Sequence, residues 1–142
     1  MAEIVQRDPH SGEKTGRLRM GPTIDTEMFQ LLHASDQKKG AIAAVEFEGA
    51  SYAAGLSFFR GKLAPGKGPG LHTHPYPETC IVLAGQVKLS VDGEAILGNA
   101  GDIVVIGPGT IHGFTAAGDQ ELEMVCLHAS DRFVIDWLEH PH

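Results

Sequence analysis

The chain has two cysteines, Cys80 and Cys126, and one tryptophan. Two thiols cannot build a disulfide framework, and each stands inside an apolar run, where free thiols are commonly buried. Pairing of the two is not expected in a reducing compartment. No apolar run approaches the roughly 20 residues of a membrane-spanning helix. The opening MAEIVQRDPHSGEK lacks the apolar core of a secretory signal, so a cytoplasmic location is expected. Basic residues are also scarce, with 11 Lys+Arg against 18 Asp+Glu and a formal net charge of −7. They form no stripe, which disfavours nucleic acid and anionic membrane as partners. There is no internal repeat, low-complexity tract or sign of a second domain.

What the chain does have is punctuation. Its 142 residues are 42% hydrophobic, enough for one domain with a core, and 18 glycines and 8 prolines divide the apolar runs into strand-sized pieces. That spacing predicts an all-β fold, sandwich or barrel. Residues 1–24, polar and without periodicity, are expected to form an N-terminal arm. Met28–Ala34 fits either a helical turn or an edge strand. Ala41–Glu48 and Tyr52–Arg60 are expected to be strands joined at Gly49-Ala50-Ser51. Pro65–Gly70 is a loop by composition. Gln86–Val91 alternates, and Asp92-Gly93 is a strong two-residue hairpin signal returning into Glu94–Leu97. Gly98–Gly101 is a further turn. Ile103–Ile106 reads as a short buried strand. Ile111–Ala116 and Glu121–His128 follow. Over Ser130–Glu139 the apolar residues Phe133, Val134, Trp137 and Leu138 recur at helical spacing, behind Ser130 or Asp131 as cap, so a short C-terminal helix is expected there.

The histidines are unevenly placed. Residues 70–79 read GLHTHPYPET. Strand residues two apart share a face, about 6.6–6.8 Å apart along it, so His72 and His74 point the same way. Imidazole nitrogens bind metals at about 2.0–2.1 Å, and two such rings can converge on one ion. Glu78 keeps the parity. Pro75 and Pro77 make an uninterrupted strand doubtful, so Glu78 is expected to open the next strand after a tight bend, facing inward with Cys80 and Val82. His112, after the Gly107–Gly109 turn, offers a third imidazole. Together His72, His74, Glu78 and His112 make a donor set of borderline hardness, suited to one divalent Fe, Mn, Co, Ni, Cu or Zn ion. The competing reading is a hydrated polar loop with unrelated histidines. The glutamate at this offset and the glycines at both ends weigh against it.

These residues carry a resemblance. Gly66-x5-His72-x-His74-x3-Glu78-x6-Gly85 resembles the first motif of the cupin superfamily at every position. Gly101–Ala116 resembles the second, with Gly101, Gly109 and His112 at the expected spacing. Two positions depart: Gly107 stands at the usual proline, and Ala116 where asparagine is common. Neither removes a metal ligand. The resemblance spans roughly Ala41–His128 and implies a double-stranded β-helix barrel of jelly-roll type, here over residues 25–130, followed by helix and tail over 131–142. It also implies one metal ion bound by His72, His74, Glu78 and His112 inside the barrel, and a homodimer.

Other residues have two readings each. Cys80 is pocket wall or a reactive thiol, or a small core residue. Tyr76 covers the mouth or packs at the bend. Phe114, sharing the face of His112, is pocket wall. His128, in register with Met124 and Cys126, is a buried hydrogen-bonded imidazole or a general acid–base. Arg60 meets an anionic substrate or is a strand-end surface charge. His140 and His142 form a second H-x-H without a framework, and His10 and His33 have no visible partners. The leading functional expectation is a metal-dependent enzyme of dioxygenase, isomerase or lyase type acting on a small oxygen-bearing molecule. The alternatives are a non-enzymatic sensor or carrier with a structural metal, and a metal-free storage-like role, which the complete ligand set argues against.

Overall fold

Short antiparallel strands stacked in two sheets make up the computed structural model, which describes residues 28–40 and 44–139. In chain order the strands are β1 (Lys38–Lys39), β2 (Val45–Phe47), β3 (Ser57–Leu63), β4 (His72–Thr73), β5 (Glu78–Ala84), β6 (Gln86–Val91), β7 (Glu94–Asn99), β8 (Ile103–Ile106), β9 (His112–Ala117), β10 (Leu122–His128) and β11 (Asp136–Trp137). One sheet has the order β1-β2-β3-β10-β5-β8 and the other β11-β4-β9-β6-β7. Strands distant in sequence are neighbours in both, as a jelly roll requires.

Alternation sets the core. Along β10, Leu122, Met124, Cys126 and His128 are buried, and along β5, Glu78, Cys80 and Val82 face the same interior. Val87, Leu89, Ile106 and Ala116 complete the packing between the sheets. Each fully buried leucine or valine contributes about 1.5–3 kcal/mol relative to exposure. The β6–β7 hairpin turns on Asp92 and Gly93, with φ of 49° and 82° and Val91 opposite Glu94, the geometry of a type I′ turn. Register also brings the polar interior together. His72 on β4 lies opposite His112 on β9, and Glu78 on β5 lies opposite His128 on β10.

Several expectations are corrected. Residues 131–139 form no helix; they run as an extended strap whose β11 pairs antiparallel with β4. The strap's backbone is held from outside itself: Leu138 and Glu139 N–H donate to the Leu71 carbonyl, Val134 N–H to the Tyr76 hydroxyl, and Phe133 N–H to Glu48. Those bonds and the stacking of Phe133 on Phe59 override the helical spacing. β8 is not a buried strand. It lies at a sheet edge, with Ile103 64% and Val105 69% exposed and Ile106 inward. Gly49–Tyr52 forms a 3-10 turn, so β3 begins only at Ser57. Met28–Ala34 forms neither regular element, and a 3-10 turn spans Ala34–Asp36. The expected arm over residues 1–24, part of the Ala41–Glu48 strand, His10, His140 and His142 lie outside the described residues.

Candidate metal centre

β4, the bend at Pro75–Pro77, the start of β5 and the start of β9 deliver His72, His74, Glu78 and His112 to one point. Each of the four is at most 5% exposed. One donor atom from each lies within 4.8 Å of those of the other three.

The proton positions define what this cluster can hold. The Nδ1 atoms of His72, His74 and His112 lie 2.7, 2.8 and 2.8 Å from the carbonyls of Gly70, Val134 and Thr110. A carbonyl only accepts, so each ring donates there and a neutral ring leaves a bare lone pair on Nε2. Such backbone partners are the usual means of orienting metal-binding imidazoles. Three Nε2 lone pairs and a carboxylate therefore face one another, four acceptors without a donor among them. His112 Nε2 is 3.0 Å from Glu78 Oε2, so a proton must sit between them when nothing else does. His74 Nε2 lies 2.9 Å from the same oxygen but is misaligned for a hydrogen bond, and is buried without a partner. A cation resolves this arrangement, and the imidazole–carboxylate chemistry of the set fits a divalent ion of borderline hardness.

The electrostatics agree. Burial alone would raise Glu78, but the His112 imidazole bonded to it and the His74 imidazole close beside it hold its carboxyl well below the usual range. Burial lowers His112 as well, yet the Glu78 carboxylate outweighs it and raises that imidazole. His72, governed by burial with further opposition from His112 and His74, is lowered to about 4.

Beside the cluster opens a cavity of about 220 Å³. His72, His74, Glu78 and His128 make its polar end, while Phe59, Leu63, Phe114, Met124, Ile135 and Trp137 make apolar wall. Phe114 and His128, expected at a pocket, line it. Tyr76 and Cys80 stand behind it: Tyr76 packs on His74 and bonds His128, and Cys80 lies in the core between Glu78 and Cys126. Cys80 and Cys126 are free thiols. The neighbouring Cys126 thiol and burial push Cys80 up, away from the reactive thiolate. Arg60 pairs with Glu123 across the sheet at 3.1 Å, away from the cavity, and His33 is exposed. Sequence reasoning missed Phe59, Ile135 and Trp137. Trp137 lies against His72 with ring centroids 4.8 Å apart. Inward alternation along β3 could have found Phe59, but nothing local marks the strap residues.

Comparison with known proteins fits this geometry. The cupin domain family pattern matches residues 59–128. No curated protein matches. Among solved structures, an oxalate oxidase is 25% identical over 71% of this chain, with a TM-score of 0.61, and the match covers 60% of that chain. A cupin protein from Bacteroides fragilis is 29% identical, with a TM-score of 0.55, over 67% of this chain and 85% of its own. An oxalate decarboxylase superposes with a TM-score of 0.62 at 19% identity, over 71% of this chain and 29% of its own, a likeness of fold.

Proposed function

The chain is a small cupin-domain protein, and on that premise we propose that it is a mononuclear metalloenzyme acting on a small oxygen-bearing organic substrate. The observation that carries this is the convergence of three Nε2 lone pairs and one carboxylate beside a cavity. His72, His74, Glu78 and His112 would hold the ion, and Fe, Mn, Co, Ni, Cu and Zn all suit the set. When bound, a divalent ion supplies a Lewis acid, or for the redox-active metals an electron-transfer centre, next to the cavity. The protein's own part is to orient and to exclude water. The carbonyls of Gly70, Val134 and Thr110 fix the three rings, so the donor atoms do not reorganise during turnover. Apolar wall keeps bulk water from a substrate placed between Phe59 and Phe114, which strengthens every polar interaction at that end.

The similarity to an oxalate oxidase supports metal-dependent chemistry on an organic acid, at 25% identity and 60% coverage of that chain. A homodimer in the cytoplasm belongs to the same proposal. The test is metal content by mass spectrometry after loading in turn with Fe(II), Mn(II), Ni(II) and Zn(II). A panel of oxygen-chelating organic acids then follows, with and without O₂. One ion per chain is expected in wild type and almost none in His72→Ala. Turnover that persists in metal-free His72→Ala would sink the mechanism. A closed four-coordinate ion without an exchangeable position would make the protein a binding module with a structural metal.

A further inference from the structure

The fourth imidazole of this interior is protonated the other way round. His128 faces Glu78, with Nε2 3.7 Å from Oε1, too far for a hydrogen bond. Its Nδ1 is 2.9 Å from the Tyr76 hydroxyl. That hydroxyl already accepts from Val134 N–H at 3.0 Å, and its own proton has His128 Nδ1 as the acceptor within reach. Nδ1 of His128 therefore accepts, and the ring's proton sits on Nε2. The neighbouring rings present lone pairs where His128 presents an N–H. This donor is buried, lacks any protein partner and lines the cavity. A buried donor aimed at a cavity fits a ligand that brings an acceptor.

The rest of the cavity limits that ligand. No lysine or arginine is among its described lining residues; apart from the polar end, only Glu46 is charged. With a divalent ion and the Glu78 carboxylate, the centre carries one net positive charge. A monoanionic oxygen head brings it to zero. A dianion such as oxalate leaves a surplus negative charge in an apolar enclosure, with no cationic side chain among the described lining residues to meet it. Beyond the head, Phe59, Leu63, Phe114, Met124 and Trp137 offer contact to carbon and not to a second carboxylate.

Resting on the metal reading above, we infer that this site takes a monoanionic, oxygen-chelating ligand with a single apolar body, that His128 Nε2–H donates to an oxygen of its head, and that dicarboxylates are poor ligands. His128 is thus a specificity-determining residue, with Tyr76 positioning it.

The experiment uses the Co(II)-loaded protein and three probes: phenylpyruvate, pyruvate and oxalate. Binding is read by calorimetry and by fluorescence of Trp137, the chain's single tryptophan. Phenylpyruvate is expected to bind at least about tenfold more tightly than either of the others, one factor of ten being a modest share of the burial available to a phenyl ring. Gly61→Val, which narrows the cavity without touching the polar end, is expected to keep one Co(II) per chain and to remove the preference for phenylpyruvate over pyruvate. His128→Phe is expected to keep the metal but lose about tenfold in affinity for phenylpyruvate and pyruvate alike, as loss of one hydrogen bond to a charged acceptor does. His128→Gln, which retains an N–H, restores it. Loaded wild type that prefers oxalate, or His128→Phe that binds the monoanions as wild type does, overturns the inference and leaves the metal reading standing. A wild-type chain that takes up no Co(II) overturns the metal reading and this inference with it.

Discussion

Tyr76 joins the strap to the polar interior through one oxygen. Its hydroxyl accepts from Val134 N–H and donates to His128, while its ring stacks on His74. Tyr76→Phe keeps the ring and leaves both polar partners unsatisfied. It is expected to destabilise the fold by about 1–3 kcal/mol without lowering metal content. Denaturant midpoints and metal analysis of the same sample check this, and a loss of metal equal to that of His72→Ala would contradict it. The imidazoles also set an acid limit for the metal-free protein. His72 and His128 are both lowered from the ordinary 6.5 to about 4, burial being the main cause. Below pH 6.5 the unfolded chain takes up those protons before the folded one, so their contribution is whole above 6.5 and is lost as pH falls toward 4. His112, shifted upward, works in the opposite sense and loses its contribution as pH rises above 6.5. Urea midpoints with chelator present should fall between pH 6.5 and pH 5. A midpoint that rises on acidification would show that burial does not hold these rings neutral.

At the scale of elements, legibility followed locality. The Asp92-Gly93 hairpin was readable because the residues that need positive φ are those that make the turn. The grouping of His72, His74 and Glu78 was readable from strand parity across ten residues. His112 came from counting a further imidazole and from the family resemblance, since its register opposite His72 is set by sheet pairing. Phe133 and Trp137 misled, because spacings of three and four suit a helix when only the segment is considered. Their places are fixed by Phe59, His72 and Leu71, more than sixty residues away. The proton on His128 was equally out of reach, depending on Tyr76 and Val134 together. β8 misled for a different reason: a continuous apolar run reads the same in a central strand and at an edge. Its exposed Ile103 and Val105 stand on a strand with no second neighbour among the described residues, an edge of the kind that proteins commonly cover or charge. If this edge is the face of the proposed dimer, Val105→Lys should shift the protein to monomer in sedimentation velocity with the fold intact. An unchanged sedimentation coefficient for a dimeric variant would place the interface elsewhere.

For the whole molecule, the proposed ion is a folding ligand as well as a reactant's partner. In its absence a proton between His112 and Glu78 satisfies only part of the buried acceptor set, and the formal charge of −7 adds a field that attracts cations. An ion that binds only the folded chain adds about 2.7 kcal/mol at a free concentration one hundred times its Kd. Thermal unfolding should therefore move up by several degrees on metal addition and fall back with chelator. His112→Ala should be indifferent to both. A wild-type Tm that ignores metal would mean that the acceptors are satisfied by protons alone.

The strap has a consequence in time. Residues 131–139 follow every candidate ligand and every strand of both sheets except the short β11 that they themselves contain. During synthesis His72, His74, Glu78 and His112 emerge before Ile135 and Trp137, and the Val134 carbonyl that orients His74 emerges late as well. Until the strap arrives, the cluster lacks both that part of its wall and the carbonyl that orients one of its rings. Trp137 settles against His72 only when the last described strand has been made, so this part of the cavity wall is completed after all of the residues it covers.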